Sequence, residues 1–142
     1  MTSDTSIYSV ENQSEKLPQK RVLLVEDDRS VRRYLEVTLQ RAGYDVITAG
    51  DGLEAMKVAL GSPVDVVLTD AVMPHMSGQE FARFMRTTPK LSQIPIVLLT
   101  GQENKQAMAP AENLVDAFLN KPVKIEELKG CLVELLQARL SV

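Results

Sequence analysis

The chain has 142 residues, 44% of them hydrophobic and 25% charged, and a net charge of −3 at pH 7. That length suits one domain with a full core, and the weak negative charge removes the electrostatic basis for direct nucleic-acid binding. The single cysteine, Cys131, excludes an internal disulfide, and no apolar run nears the roughly 18 residues of a membrane helix.

Residues 1–19 lack both the leading positive charges and the apolar stretch of a secretion signal. They read as a disordered polar tail ahead of a domain at 20–142, and the expected location is the cytoplasm. Arg21–Val25 (RVLLV) is a near-continuous apolar run, suited to a strand buried on both faces. Glu26, Asp27 and Asp28 follow it directly. Asp28 reads as the N-cap of a helix in which Val31, Leu35 and Leu39 recur at steps of four, with Tyr34 and Ala42 beside them. Gly43 ends that helix. Asp45–Ala49 (DVITA) is more polar, as an edge strand should be. Gly52–Leu60 forms a second helix, capped by Asp51 and stopped before Pro63.

Asp65–Thr69 (DVVLT) and Ile96–Thr100 (IVLLT) are further buried strands. Between them Ser77–Thr87 forms a helix with a core stripe of Phe81, Phe84 and Met85. Gln102–Val115 should hold a fourth helix, short or bent because Pro110 lies inside it. Ala117–Asn120 (AFLN) is the fifth strand. Ile125–Leu140 is the last helix, turning Ile125, Leu128, Leu132, Leu135 and Leu136 inward. Cys131 is placed in or near the core, and His75, after Pro74, on an exposed loop.

Five strands alternating with helices imply an α/β fold: a five-stranded parallel sheet, doubly wound, with helices on both faces. Ligands of such sheets bind at the carboxyl ends of the strands. Glu26 and Asp27 follow the first strand, Asp70 ends the third, Thr100 ends the fourth and Lys121 follows the fifth. All therefore fall on one edge. Three carboxylates from two strand ends make a hard, oxygen-rich pocket that suits Mg²⁺. A carboxylate can also attack phosphorus to give an aspartyl phosphate. A lysine and a threonine hydroxyl can then contact the phosphoryl oxygens. Each side chain has a plainer reading: solvated loop acids, a turn aspartate, the last residue of a strand, a surface lysine. Their convergence on one edge favours a shared site.

The stretches VEDD, VLTDAVMPHMSG, LLTG and FLNKP resemble the signatures of the receiver domain of two-component response regulators, and the likeness runs from about Arg21 to Leu140. The resemblance implies a flavodoxin-like sheet of order 2-1-3-4-5 and a chain that catalyses only its own phosphorylation and dephosphorylation. Asp70 would accept the phosphoryl group from a sensor histidine kinase or a histidine phosphotransfer protein. Mg²⁺ would be held by Asp27, by Asp70, by the backbone carbonyl of Val72, and by Glu26 through a metal-bound water. Lys121 and Thr100 would contact the phosphoryl oxygens. Thr100 and Phe118 would form the switch toward a downstream protein target. The Lys121–Pro122 bond would be cis. Val72 and Gln102 would flank the path of the hydrolytic water. NLV (Asn113–Val115) departs from the Ala-Gly-Ala run that receivers often carry before the fifth strand.

Rival readings are weaker. A phosphatase of the haloacid dehalogenase type needs a second aspartate two residues after the nucleophile, where this chain has Val72. A flavin carrier needs a hydroxyl- and glycine-rich loop after the first strand, where this chain has three acids. A receiver-like module that works without phosphorylation would not need Glu26, Asp27, Asp70, Thr100 and Lys121 together. The expected protein is a stand-alone receiver beginning at Met1, with the receiver piece of a longer hybrid kinase as the alternative.

Overall fold

The computed structural model describes residues 19–101 and 113–140. Strands β1 (Arg21–Val25), β2 (Asp45–Ala49), β3 (Val66–Asp70), β4 (Ile96–Thr100) and β5 (Ala117–Asn120) form one parallel sheet, ordered β2-β1-β3-β4-β5. Helices α1 (Arg29–Arg41), α2 (Gly52–Gly61), α3 (Gly78–Thr87) and α4 (Ile125–Leu140) are the α-helices among the described residues, and a 3₁₀ turn, Pro89–Leu91, follows α3. The expected fold class is the observed one. The tail at 1–18 and most of the expected fourth helix, with Pro110 and Gln102, lie outside the described residues.

Alternation along the strands divides the core in two. Leu23, Val25, Val67 and Ile96 pack with Ala55 and Ala59 of α2 and with Phe81, Ala82 and Met85 of α3. Val22, Leu24, Val66, Leu68, Val97 and Leu99 pack with Leu35 and Leu39 of α1 and with Leu128, Leu132 and Leu136 of α4. Each of these large side chains withdrawn from water contributes about 1.5–3 kcal/mol. Strands β1, β3 and β4 are covered on both sides, which is why they are almost wholly aliphatic. Half-buried β2 is an edge strand, as its polar residues require. Cys131 packs against the second cluster, where burial raises its thiol pKa, helped by Glu134 and Asp116.

The helix signals hold locally. Asp28 caps α1 by accepting from Val31 N, and Asp51 caps α2 by accepting from Glu54 N. Ser77 and Glu80 form a reciprocal capping box on α3, so Ser77 is the cap rather than the first helical residue. Gly43, at φ +101, closes α1: its N–H donates to Gln40 O, and Tyr44 N donates to Leu39 O. His75 is exposed at φ +71, and the Lys121–Pro122 bond is cis.

Two expectations need correction. The third strand runs Val66–Asp70 rather than Asp65–Thr69. Asp65 instead accepts from Arg21 N through its carboxylate at 2.8 Å, stitching the amino edge of the sheet. At the other end the ladder continues past Thr69: Asp70 lies opposite Leu99, and Ala71 N donates to Leu99 O. Asp70 thus ends the strand, as its expected place at the carboxyl edge requires. The apolar stripe of α1 also starts a turn late. Leu35 and Leu39 are buried, but Val31 is 39% and Tyr34 57% exposed. The first turn of α1 overhangs the carboxyl edge, where Val31 and Tyr34 line an open groove with Leu35, Lys121, Pro122 and Val123.

Candidate functional site

The carboxyl edge gathers the expected side chains. Glu26 continues the line of β1, its N–H donating to Ala49 O of β2 at 3.1 Å. Glu26 is 1% exposed, Asp70 5% and Thr100 1%, while Asp27 is open to solvent. Carboxylate oxygens of Glu26, Asp27 and Asp70 all lie within 4.8 Å of one another. Lys121, which follows β5, reaches back across the sheet to Asp70. Its Nζ donates to Asp70 Oδ2 at 2.8 Å and stands 3.8 Å from Glu26 Oε1. The main chain carries it there, since Lys121 N donates to Thr100 O at 2.8 Å.

The remaining polar atoms are fixed unevenly. Glu26 Oε2 accepts from Asp28 N at 3.1 Å, and Asp70 Oδ1 accepts from Val72 N at 3.3 Å. Glu26 Oε1 and Thr100 Oγ1 are buried without a hydrogen-bond partner, an arrangement that costs free energy unless something else satisfies them. Val72 is held beside Asp70 with its side chain 55% exposed. Phe118 is half-buried against Ala71 and Leu98. Gly78 closes the loop after β3, its N–H donating to Ala71 O at 2.9 Å. A Cβ there would overlap the Asp70 carbonyl.

Charge explains the titration. Burial pushes the Glu26 carboxyl up to about 7. The Asp70 and Asp27 charges add to that rise, and the Asp28 N–H and Lys121 oppose it. Burial also works to lower the Lys121 pKa, but its hydrogen bond to Asp70 and the charges of Asp70, Glu26 and Asp27 outweigh it, so Lys121 rises and stays a cation. With all three acids ionised the pocket holds one ammonium against three carboxylates. The donor set is hard oxygen, one buried carboxylate oxygen lacks a hydrogen-bond partner, and negative charge is in excess. These features fit a divalent cation such as Mg²⁺.

Two further residues were not foreseen from the sequence. Arg32 of α1 donates from Nη1 to Glu26 O at 2.7 Å, and Gly78 packs directly on the Asp70 backbone. No local pattern set the first apart from the other arginines of α1. The second needed the tertiary path of the loop.

Fold and site together define a doubly wound parallel α/β domain with an acid–lysine pocket at its strand ends. The family model of the response regulator receiver domain matches residues 22–132, and the chain belongs to that family. It is 36% identical over 118 residues to the response regulator MprA of Mycobacterium sp. (strain KMS), covering 82% of this chain and 50% of that protein. It is 34% identical over 116 residues to hybrid signal transduction histidine kinase D of Dictyostelium discoideum, covering 81% of this chain and 7% of that protein. The chain thus spans about half the length of its mycobacterial relatives. Among solved structures it resembles chemotaxis response regulator CheY4 of Vibrio cholerae, with a TM-score of 0.78 at 34% identity, covering 84% of this chain and all of that one. The receiver domain of sensor histidine kinase PA1611 from Pseudomonas aeruginosa PAO1 also has a TM-score of 0.78, at 26% identity, covering 84% and 99% of the two chains. That structure holds a magnesium ion in its active site cleft. Among the described residues, no helix is long and apolar enough to cross a membrane.

Proposed function

We propose that this chain is a phosphoacceptor. It takes a phosphoryl group onto Asp70 from the phosphohistidine of a sensor histidine kinase or histidine phosphotransfer protein, and signals by phosphorylation-dependent binding of another protein. The observation that carries the reading is the Lys121 Nζ–Asp70 Oδ2 contact at 2.8 Å, inside a pocket of three clustered carboxylates. An Asp70 oxygen attacks phosphorus, the phosphorus–nitrogen bond to the imidazole breaks, and its electron pair returns to the imidazole. Lys121 is placed to exchange its contact with Asp70 for one with a phosphoryl oxygen, and the unpartnered Thr100 hydroxyl is free to donate to another. Glu26, Asp27, Asp70 and the Val72 carbonyl would hold Mg²⁺, whose charge offsets the repulsion between the acids and the incoming group. Thr100, drawn toward the phosphate, would vacate space for Phe118, two strand positions before Asn120, its Cα partner on β5.

The protein changes only its own covalent state and turns over no other substrate, and such a donor places it in the cytoplasm. The match to 7% of a hybrid kinase favours a second setting for the same chemistry, as the receiver of a longer protein. Incubation with acetyl phosphate and Mg²⁺ tests the reading by intact mass. One phosphoryl adduct is expected on the wild type and none on Asp70→Asn. An adduct that persists on Asp70→Asn would move the acceptor elsewhere.

A further inference from the structure

Asp27 differs from its two partners in the acidic cluster. The Glu26 side chain is held by Asp28 N, and that of Asp70 by Lys121 Nζ and Val72 N. The exposed Asp27 carboxylate has no hydrogen-bond partner among the described residues. Its place within 4.8 Å of the other two acids is therefore inherited from its backbone. That backbone is tied on both sides of Glu26: Glu26 N donates to Ala49 O at 3.1 Å, and Glu26 O accepts from Arg32 Nη1 at 2.7 Å. The carbonyl in the second tie belongs to the peptide unit that joins Glu26 to Asp27.

We propose that Arg32 is a positioning residue for the metal pocket, holding the 26–27 peptide from α1 so that Asp27 presents its carboxylate to Glu26 and Asp70. The proposal rests on the Mg²⁺ part of the function argued above. The guanidinium grips a main-chain carbonyl, so its contact fixes the path of the chain rather than pairing with a carboxylate. The guanidinium also packs closely on Gly50, where a Cβ would stand 3.3 Å from Arg32 Nη1. Arg32 meets the cluster only through the Glu26 main chain, and no hydrogen bond joins it to a carboxylate among the described residues. Loss of an outer partner of this kind weakens metal binding by about tenfold or more in other sites.

The test compares wild type, Arg32→Met and Arg32→Lys on the full chain. Mg²⁺ affinity is read by calorimetric titration at 25 °C, and the metal-free melting temperature and far-UV circular dichroism are read alongside. Arg32→Met keeps the aliphatic stem and removes the donor. It is expected to bind Mg²⁺ about tenfold more weakly while remaining folded at 25 °C. Arg32→Lys restores one donor and should recover most of the affinity. A merely structural role would lower the melting temperature and leave the affinity of the folded protein unchanged. Wild-type affinity in Arg32→Met overturns the positioning role alone, and so does Arg32→Lys if it folds yet binds as weakly as the methionine variant. If Arg32→Met does not fold, Arg32→Lys decides by the same titration. A wild type that binds no Mg²⁺ overturns the metal site itself, and this proposal with it.

Discussion

Glu26→Gln should stabilise the metal-free protein, and only where Glu26 would be ionised. Glu26 is 1% exposed, and its pKa rises from 4.5 to about 7, first through burial and then through Asp70 and Asp27. Folding therefore strengthens proton binding at this site. The associated stabilisation is complete below about pH 4.5 and is lost as the pH climbs through about 7. At about 1.4 kcal/mol per tenfold change in proton concentration, the full effect is about 3 kcal/mol. Gln is close in shape, keeps an acceptor for Asp28 N and carries no charge. The variant should match the wild type at pH 4 to within about 1 kcal/mol and exceed it by about 3 kcal/mol at pH 8, or roughly 10 °C in melting temperature for a domain of this size. Thermal unfolding followed by circular dichroism across pH 4–8, in EDTA, measures this directly. Millimolar Mg²⁺ should then narrow the gap, because mass action rewards the chain that binds it better. An equal difference between variant and wild type at pH 4 and pH 8 would refute the burial-and-repulsion account of this carboxylate.

Thr100→Ala removes a buried hydroxyl without a partner, so phosphorylation by acetyl phosphate should persist while the phosphorylation-dependent gain in partner affinity disappears; a binding titration with an unchanged response to phosphate would uncouple Thr100 from the switch. Val72→Asn combined with Gln102→Glu should speed loss of the phosphoryl group, since the exposed Val72 side chain beside Asp70 has no hydrogen-bonding atom to orient a water; decay no faster than in the wild type refutes it. Gly78→Ala forces a methyl group into the Asp70 carbonyl, and should cost about 1–3 kcal/mol and slow phosphorylation more than tenfold, read by urea unfolding and mass spectrometry. Leu132→Ala, deep under the sheet, should cost about 2–5 kcal/mol in the same unfolding assay, with little effect on the phosphorylation rate of the folded fraction.

Much of this molecule is written in local patterns. The aliphatic runs at Val22–Val25 and Ile96–Leu99 suit strands covered on both sides, and both are. Asp28, Asp51 and Gly43 punctuate helices through contacts within a few residues, so their roles needed no tertiary information. The set Glu26, Asp27, Asp70, Thr100 and Lys121 was legible because parallel sheets carry their ligands at one edge, although the strand order that makes them neighbours came from resemblance. What the fold alone decided depends on contacts between residues far apart in the chain. Burial turns Glu26 into a carboxyl that titrates near neutrality, whereas Asp27, the next residue, faces solvent. The reach of Lys121 to Asp70 spans three adjacent strands. The exposure of Val31 and Tyr34 follows from α1 starting beyond the strand ends, which its periodicity does not record. Arg32 reads as one basic residue among several on α1, and only the packing of that helix against the end of β1 brings its guanidinium to the Glu26 carbonyl. Periodicity reports which face of an element is apolar; which groups meet at its ends is set by how the elements stack.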